Sequence, residues 1–427
     1  MKKIITSILL LSCIFFMPTI SAESFNASAK YALAVDLDSG KILYEKDANR
    51  PAAIASLTKI MTVYMVYKEI DNGNLKWNTK VNISDYPYQL TRESDASNVP
   101  LEKRRYTVKQ LVDAAMISSA NSAAIALAEH ISGTESKFVD KMTAQLEKWG
   151  IHDSHLVNAS GLNNSMLGNH IYPKSSQNDE NKMSARDIAI VAYHLVNEYP
   201  SILKITSKSV AKFDKDIMHS YNYMLPDMPV FRPGITGLKT GTTELAGQSF
   251  IATSTESGMR LLTVIMHADK ADKDKYARFT ATNSLLNYIT NTYEPNLVLA
   301  KGATYKGKEA SVRDGKEQSV IAVAKNDLKV AQKKNITKQN QLKINFKKEL
   351  TAPITKKENL GKAYYVDLNK VGKGYLIKEP SVHLVAKDSI ERSFFLKVWW
   401  NHFVRYVNEN FNSNLPLTQG VTAQQFL

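Results

Sequence analysis

The sequence predicts a mixed α/β sandwich on a central antiparallel sheet, followed by a small all-β domain and a terminal amphipathic helix. Three observations predict this. Strand-like runs stand at both ends of residues 30–290 with helical runs between them, so one sheet can join the two ends. Beyond about residue 295 the pattern changes to short alternating stretches. The last patterned run pairs aromatic with basic residues at helical spacing.

The elements follow in order. Residues 1–22 read as a secretory signal peptide: Lys2 and Lys3, then the apolar "IITSILLLSCIFFM", then small residues before Glu23. That run is too short to span a bilayer comfortably. The only cysteine, Cys13, lies in it; "LLSC" faintly resembles a lipoprotein cleavage box, but the apolar run continues past it. The mature chain then has no cysteine, which excludes a thiol nucleophile and a Cys-ligated metal. "KYALAVDLDSGKILYEKD" gives a hairpin around Asp38-Ser39-Gly40. A buried helix opens at Ser56, runs to about Asp71 and stops at Asn72-Gly73. "YTVKQLVDAAMI" and "SAAIALAEHISG" are helices split by "SSAN", and "SARDIAIVAYHLVNEY" is another. "GITGLKTG", "GQSFIATSTE" and "RLLTVIMHA" are strands joined by short turns, and "YARFTATNSLLNYITNTYE" is a closing helix. The expected divisions are a catalytic domain over 23–294, a β-rich domain over 295–386 and an anchor and tail over 387–427.

Charge is unevenly placed. Of a net +14, residues 301–427 hold 23 basic and 11 acidic residues, whereas 23–300 hold 30 of each. A basic tail on an exported chain fits an anionic membrane or wall polymer better than nucleic acid. In "SFFLKVWWNHFVRYVNENF", Lys397, Asn401 and Arg405 line one face of a helix. Phe395, Trp399, His402 and Tyr406 line the other, flanked by Val398, Trp400 and Phe403. Roughly 15 residues at 1.5 Å each cannot cross about 30 Å of hydrocarbon, so the expected place is the interface plane. A helix packed on its own β domain is the alternative.

Ser56 and Lys59 in "ASLTKIMT" stand one turn apart, so the amine can reach the hydroxyl. A serine nucleophile needs such a base, and the first helical turn favours developing negative charge. Lys59 must then be neutral: lowering its usual pKa of about 10.4 by three to four units costs roughly 4–5 kcal/mol, and burial or a nearby cation can do so. The pattern alone is weak, since "SILK" (201–204) and "SVAK" (209–212) match it, and "SQN" (176–178) and "SYN" (220–222) match "SAN". The ordered set carries the information. Ser56-x-x-Lys59 starts a helix, Ser119-x-Asn121 follows 63 residues later between two helices, and Lys239-Thr240-Gly241 ends a strand 120 residues further on.

In this order the three motifs resemble the penicillin-recognising serine enzymes. With "ISSANSAAIALAE", "NASGLNN", "MSARDIA" and "GITGLKTGTTELAGQSFIAT", residues 25–290 are similar to the low-molecular-mass penicillin-binding proteins, the D-alanyl-D-alanine carboxypeptidases of peptidase family S11. The resemblance extends more loosely to the β-rich domain and the terminal helix. It implies a penicillin-binding/transpeptidase-like fold at the extracytoplasmic face of a bacterial membrane, peripherally attached, with no cofactor or metal. The substrate implied is a peptidoglycan stem peptide ending in D-Ala-D-Ala, and β-lactams would mimic it. Ser56 would be acylated, Lys59 would take its proton, Ser119 would relay a proton to the departing D-alanine, and Asn121 would hold substrate and Lys59. Lys239 and Thr240 would bind the terminal carboxylate, Gly241 would let the strand approach the substrate, and the Ser56 and Thr242 N–H groups would form the oxyanion hole. Relatives place an arginine near "IMHADK" to help bind carboxylate, where this chain has Asp269 and Lys270.

A class A β-lactamase shares the motifs but needs a glutamate to activate deacylating water. Glu180 in "QNDENKMS" is the acid to consider, and its context does not match. A D,D-transpeptidase would begin with the same acyl-enzyme, and the motifs do not separate it. A wall- or lipid-binding module fits the basic tail and leaves the ordered constellation unexplained. His152 and His155 in "HDSH" lack a third ligand and read as loop residues.

Overall fold

A hairpin starts the fold: β1 (Ala29–Asp36) turns at Asp38-Ser39-Gly40 into β2 (Ile42–Lys46). Gly40 supplies the left-handed φ of +71° that the turn requires. These coordinates come from a computed structural model that describes residues 25–92, 96–337 and 341–411. The expected leader and Cys13 lie outside the described residues.

After β3 (Ala52–Ala53) comes α1 (Thr58–Asp71). Every residue of α1 from Thr58 to Tyr67 is buried, which explains a helix without a polar face in its first ten positions. β4 (Lys80–Asn82), α2 (Asp85–Leu90) and β5 (Arg105–Thr107) lead to α3 (Val108–Ile117) and α4 (Asn121–Ser132). Thr107 and Gln110 close a capping box at the start of α3. α5 (Glu135–Lys148), which the apolar pattern did not disclose, precedes β6 (Lys182–Met183), α6 (Ala185–Glu198) and the short α7 (Leu203–Thr206). A small hairpin, β7 (Val210–Phe213) and β8 (Asp216–His219), is followed by β9 (Ile235–Thr243), β10 (Gly247–Glu256), β11 (Met259–Ala268) and α8 (Ala277–Thr292).

The main sheet has the order β2-β1-β11-β10-β9, all neighbours antiparallel, so chain-distant β1 and β11 sit side by side as expected. Alternation along β1 divides the interior in two. Leu33 and Val35 join one core with α1, α3, α4 and α6, while Ala32 and Ala34 join another with α8. The register sets Leu33, Val264, Ile251 and Lys239 in one cross-strand row. Residues directly opposite share a face, so Lys239 points with those apolar residues toward the helical half.

β12 (Tyr293–Leu299) continues from α8 and pairs with β15 (Leu328–Lys333). A second antiparallel sheet joins β13 (Glu309–Ser311), β14 (Ser319–Ala324), β18 (Ser381–Ala386), β17 (Asn359–Tyr365) and β16 (Leu342–Phe346) around its own core. This domain closes onto the first hairpin. Lys41 Nζ lies 2.9 Å from Asp367 Oδ2 with both side chains nearly inaccessible, and Tyr375 Oη donates to the same carboxylate. Ile42 N–H donates to the Gly374 carbonyl, and Leu376 N–H to that of Gly40.

α9 (Phe395–Phe411) ends the described chain. Val398 is buried and His402 Nε2 lies 2.9 Å from Asp314, so His402, placed with the aromatics on the helical wheel, is tied to the β domain. Phe394, Phe395, Trp399, Trp400, Phe403 and Tyr406 are exposed. At 17 residues the helix is about 26 Å long, and among the described residues no helix is long and apolar enough to cross a membrane.

Candidate active site

Ser56 lies on a 3₁₀ turn, Ala55–Leu57, and the α-helix proper begins at Thr58 rather than at Ser56 as the pattern suggested. Thr58 Oγ1 donates to the Ala55 carbonyl and tightens this turn. Two glycines let other chain segments press on it. A Cβ on Gly161, whose φ is +84°, would lie 1.8 Å from the Ala55 oxygen. A Cβ on Gly241 would lie 2.9 Å from the Ile54 oxygen. Gly241, which the resemblance has letting the strand approach the substrate, also makes room for the turn that carries Ser56.

Lys59 is wholly buried, and its Nζ reaches three oxygens: Ser56 Oγ at 2.9 Å, Asn121 Oδ1 at 2.6 Å and the Ser160 carbonyl at 2.7 Å. A neutral amine has two N–H groups and one lone pair. Asn121 Oδ1 and the Ser160 carbonyl can only accept, so they take both N–H groups. The lone pair is then left facing the Ser56 hydroxyl. Burial above all, and then the nearby Lys239, hold Lys59 well below the usual lysine range. Glu135 opposes that shift from the far side.

Ser119 has a strained φ of +59° at the junction of α3 and α4. Asn121, two residues on, opens α4 and donates from Nδ2 to the Ser97 carbonyl. Lys239 Nζ lies 2.9 Å from Ser119 Oγ and 3.0 Å from the Thr240 carbonyl. Burial, helped by Arg278, pushes Lys239 down to about 7. The structure thus holds two Ser–Lys pairs, Ser56–Lys59 and Ser119–Lys239, at the junction of the helical half and the sheet. They meet a cleft of about 680 Å³ whose lining includes Ser56, Ser119, Thr240, Thr242, Tyr223 and Arg278.

Arg278 was missed in the sequence. Its guanidinium, at the start of α8, donates to the Gly241 carbonyl at 2.9 Å, the Ser249 carbonyl at 3.1 Å and Thr242 Oγ1 at 2.6 Å. Burial lowers it to about 10. Asp269 and Lys270 occupy the place where relatives have an arginine; a guanidinium reaches the cleft from "YARFTA", at the start of the next helix, and Lys275 lines the cleft beside it. A single arginine among small and apolar residues at a helix start was the available signal. The segment 157–162 was also unrecognised as part of the site. Asn158 Oδ1 accepts from Gly161 N–H, Asn181 Oδ1 accepts from Val157 N–H, and Thr62 Oγ1 donates to the Ala159 carbonyl.

Glu180 is buried just behind the cleft wall, with Oε2 accepting from Oγ1 of the lining residue Thr243 at 2.7 Å and Oε1 from Asn163 Nδ2 at 3.1 Å. His155 faces Asp179 at 3.1 Å, and no group of three metal-ligating side chains occurs among the described residues.

The fold is that of a penicillin-binding protein. The D-alanyl-D-alanine carboxypeptidase family model, peptidase S11, matches residues 18–270, and the model for the penicillin-binding protein 5 C-terminal domain matches 293–392. The chain belongs to the S11 D-alanyl-D-alanine carboxypeptidases, which are hydrolases. Among curated relatives, D-alanyl-D-alanine carboxypeptidase DacF of Bacillus subtilis is 27% identical over 407 residues, covering 93% of this chain and 96% of its own. Among solved structures, a peptidoglycan synthesis regulatory factor (PBP3) from Streptococcus pneumoniae superposes with a TM-score of 0.82 at 48% identity, covering 86% of this chain and all of that one. Penicillin-binding protein D2 from Listeria monocytogenes, solved in its ampicillin-bound form, superposes with a TM-score of 0.51 at 28% identity, covering 62% and 98%.

Proposed function

We propose that the enzyme removes the terminal D-alanine from peptidoglycan stem pentapeptides through an acyl-enzyme on Ser56, and that penicillin acylates the same oxygen. One observation carries this reading: Lys59 Nζ is within hydrogen-bond reach of Ser56 Oγ, Asn121 Oδ1 and the Ser160 carbonyl, so that a neutral amine giving its two N–H groups to the last two turns its lone pair to Ser56. Lys59 accepts the Ser56 proton as Oγ bonds to the penultimate carbonyl carbon. The Ser56 and Thr242 N–H groups stabilise the oxyanion. The C–N bond breaks as the proton held by Lys59 is handed on to Ser119, which gives its own to the departing amine with Lys239 behind it, so that Lys59 is neutral again. Water then attacks the ester, Lys59 takes a proton from it, and Ser56 recovers its own.

The substrate would lie along β9, the outer strand of the sheet, whose edge can accept an extended peptide. Its terminal carboxylate would meet the Thr240 and Thr242 hydroxyls with Lys239 and Arg278 behind them. An arriving carboxylate raises the Lys239 amine toward its charged form. The test is a synthetic peptide ending in D-Ala-D-Ala. D-alanine release is expected, and its absence would sink the proposal. A transpeptidase shares every step up to the ester, so an added amine acceptor in the same assay separates them: product ligated to the amine in place of free acid would favour that reading. The β-lactamase alternative has less support, because Glu180 is not among the cleft-lining side chains and both its oxygens already accept hydrogen bonds, from Thr243 and Asn163.

We further propose peripheral attachment at the extracytoplasmic face of a bacterial cytoplasmic membrane through α9, with 23–294 doing the chemistry. The exposed aromatics of α9 and the +12 charge of residues 301–427 support this. Deleting 390–427 is expected to free the protein from anionic vesicles while D-alanine release continues. Binding that survives the deletion would move the contact to the β domain.

A further inference from the structure

Glu135 is a buried carboxylate that the mechanism above does not use. It is the first residue of α5, 7% exposed, and it follows the N-cap Thr134. Its Oε1 accepts the Ala159 N–H at 2.8 Å and its Oε2 the Tyr86 hydroxyl at 3.0 Å. The Ala159 carbonyl accepts from Thr62 on α1, one turn beyond Lys59, and the next carbonyl, that of Ser160, accepts from Lys59 itself. Glu135 is therefore linked to the amine by two hydrogen bonds and the Ala159–Ser160 backbone between them. We propose that Glu135 is a positioning residue for acylation: it clamps the Ala159–Ser160 segment so that the Ser160 carbonyl orients Lys59, and it places one negative charge behind that amine. This rests on Ser56 and Lys59 acting as proposed above.

The second half of the inference is electrostatic. The groups that face Glu135 are Lys59 from α1, Tyr86 from α2 and Glu129 from α4. Glu129 is held by Ser84 Oγ at 2.8 Å and feels His170, which stacks on Tyr86. Burial pushes Glu135 up to about 7, against the Ala159 and Tyr86 hydrogen bonds that favour its charge. An ionised Glu135 favours the protonated form of Lys59. As pH rises through about 7 the carboxylate forms and resists loss of the Lys59 proton. The acid limb of acylation is thereby spread over a wider range than one ionisation gives.

The experiment measures labelled-penicillin acylation of the full chain across pH, with melting temperatures for each variant. Glu135→Gln keeps an acceptor for Ala159 N–H and gains a donor for Tyr86, but loses the charge. Its acid limb should be steeper and lie at lower pH than the native one. Tyr86→Phe removes a hydrogen bond to the carboxylate and should move the limb the same way by less. Glu135→Ala frees the segment, and its limiting rate should fall by roughly 10–100-fold, the cost of about an ångström of misplacement. Limbs that overlay the native one, or move to higher pH, would overturn the inference, as would a Glu135→Ala limiting rate equal to native. If Glu135→Ala fails to melt cooperatively, Glu135→Gln and Tyr86→Phe decide. Adduct formation on Ser56→Ala would instead refute the assignment of the nucleophile, so the two failures are told apart.

Discussion

Ser56→Ala is expected to lose labelled-penicillin adduct entirely and to release D-alanine roughly 10⁴–10⁶-fold more slowly than native enzyme. Oγ is the atom that forms the ester, and nothing else on the turn can replace it. The cleft and its N–H groups survive the substitution, so a small residual rate is consistent with binding and oxyanion stabilisation alone. Folding should survive too. Among the described residues the one hydrogen bond at Ser56 Oγ is with Lys59, and such a bond contributes about 1 kcal/mol. Peptide mapping of the native adduct checks the assignment. A label on Ser119, the other cleft hydroxyl that faces a buried amine, would reverse the roles of the two Ser–Lys pairs. Labels on Ser201 or Ser209 would contradict the geometry altogether, since neither reaches the cleft.

The second large effect concerns the base. Lys59→Met fills most of the same volume without an amine and should lower the acylation rate by about 10³–10⁴-fold, the range of general base catalysis at its upper end. Asn121 Oδ1 and the Ser160 carbonyl lose a shared donor, at about 1–3 kcal/mol for each buried acceptor left unpaired. Removal of a buried, depressed amine offsets part of that loss. The pH profile gives the sharper reading. The neutral amine is the active form, so the native rate rises with pH as Lys59 gives up its proton. Because burial and Lys239 hold Lys59 well below the usual lysine range, that rise falls below the pH at which an ordinary lysine titrates. In Lys59→Met the rise should vanish. A variant that keeps it would show that the limb belongs to another group.

Much of the fold was legible because its signals are local. The Asp38-Ser39-Gly40 turn, the mostly apolar early α1 and the three strands β9–β11 each declare themselves within a dozen residues, and the order of the three motifs singled out Ser56 over Ser201 and Ser209. What was missed is held by long-range contacts. The Ser160 carbonyl reaches Lys59 across 101 positions, and the Ala159 carbonyl reaches Thr62 across 97. Residues 157–162 carry no periodicity; Asn158 and Asn181 hydrogen bonds shape them. Glu135 looked like an ordinary acidic residue in the first turn of an unnoticed helix. The resemblance implied an arginine near "IMHADK"; the guanidinium of Arg278 instead reaches back to β9 from the next helix.

The hairpin that opens the chain also answers for how the two halves live together. Lys41 and Asp367 form an ion pair sealed from water, and the Tyr375 hydroxyl and Asn369 N–H donate to the same carboxylate. Separated from its mate, either charge would sit in a dry seam with nothing to balance it, a state that costs several kcal/mol. Tyr293 adds a bond from its hydroxyl to the Leu43 carbonyl on the same hairpin. The peptidase and its β domain are therefore interdependent lodgers: neither is a spare part that can be unbolted without leaving a wound in the other, and the edge that would be wounded is the sheet on which the cleft is built.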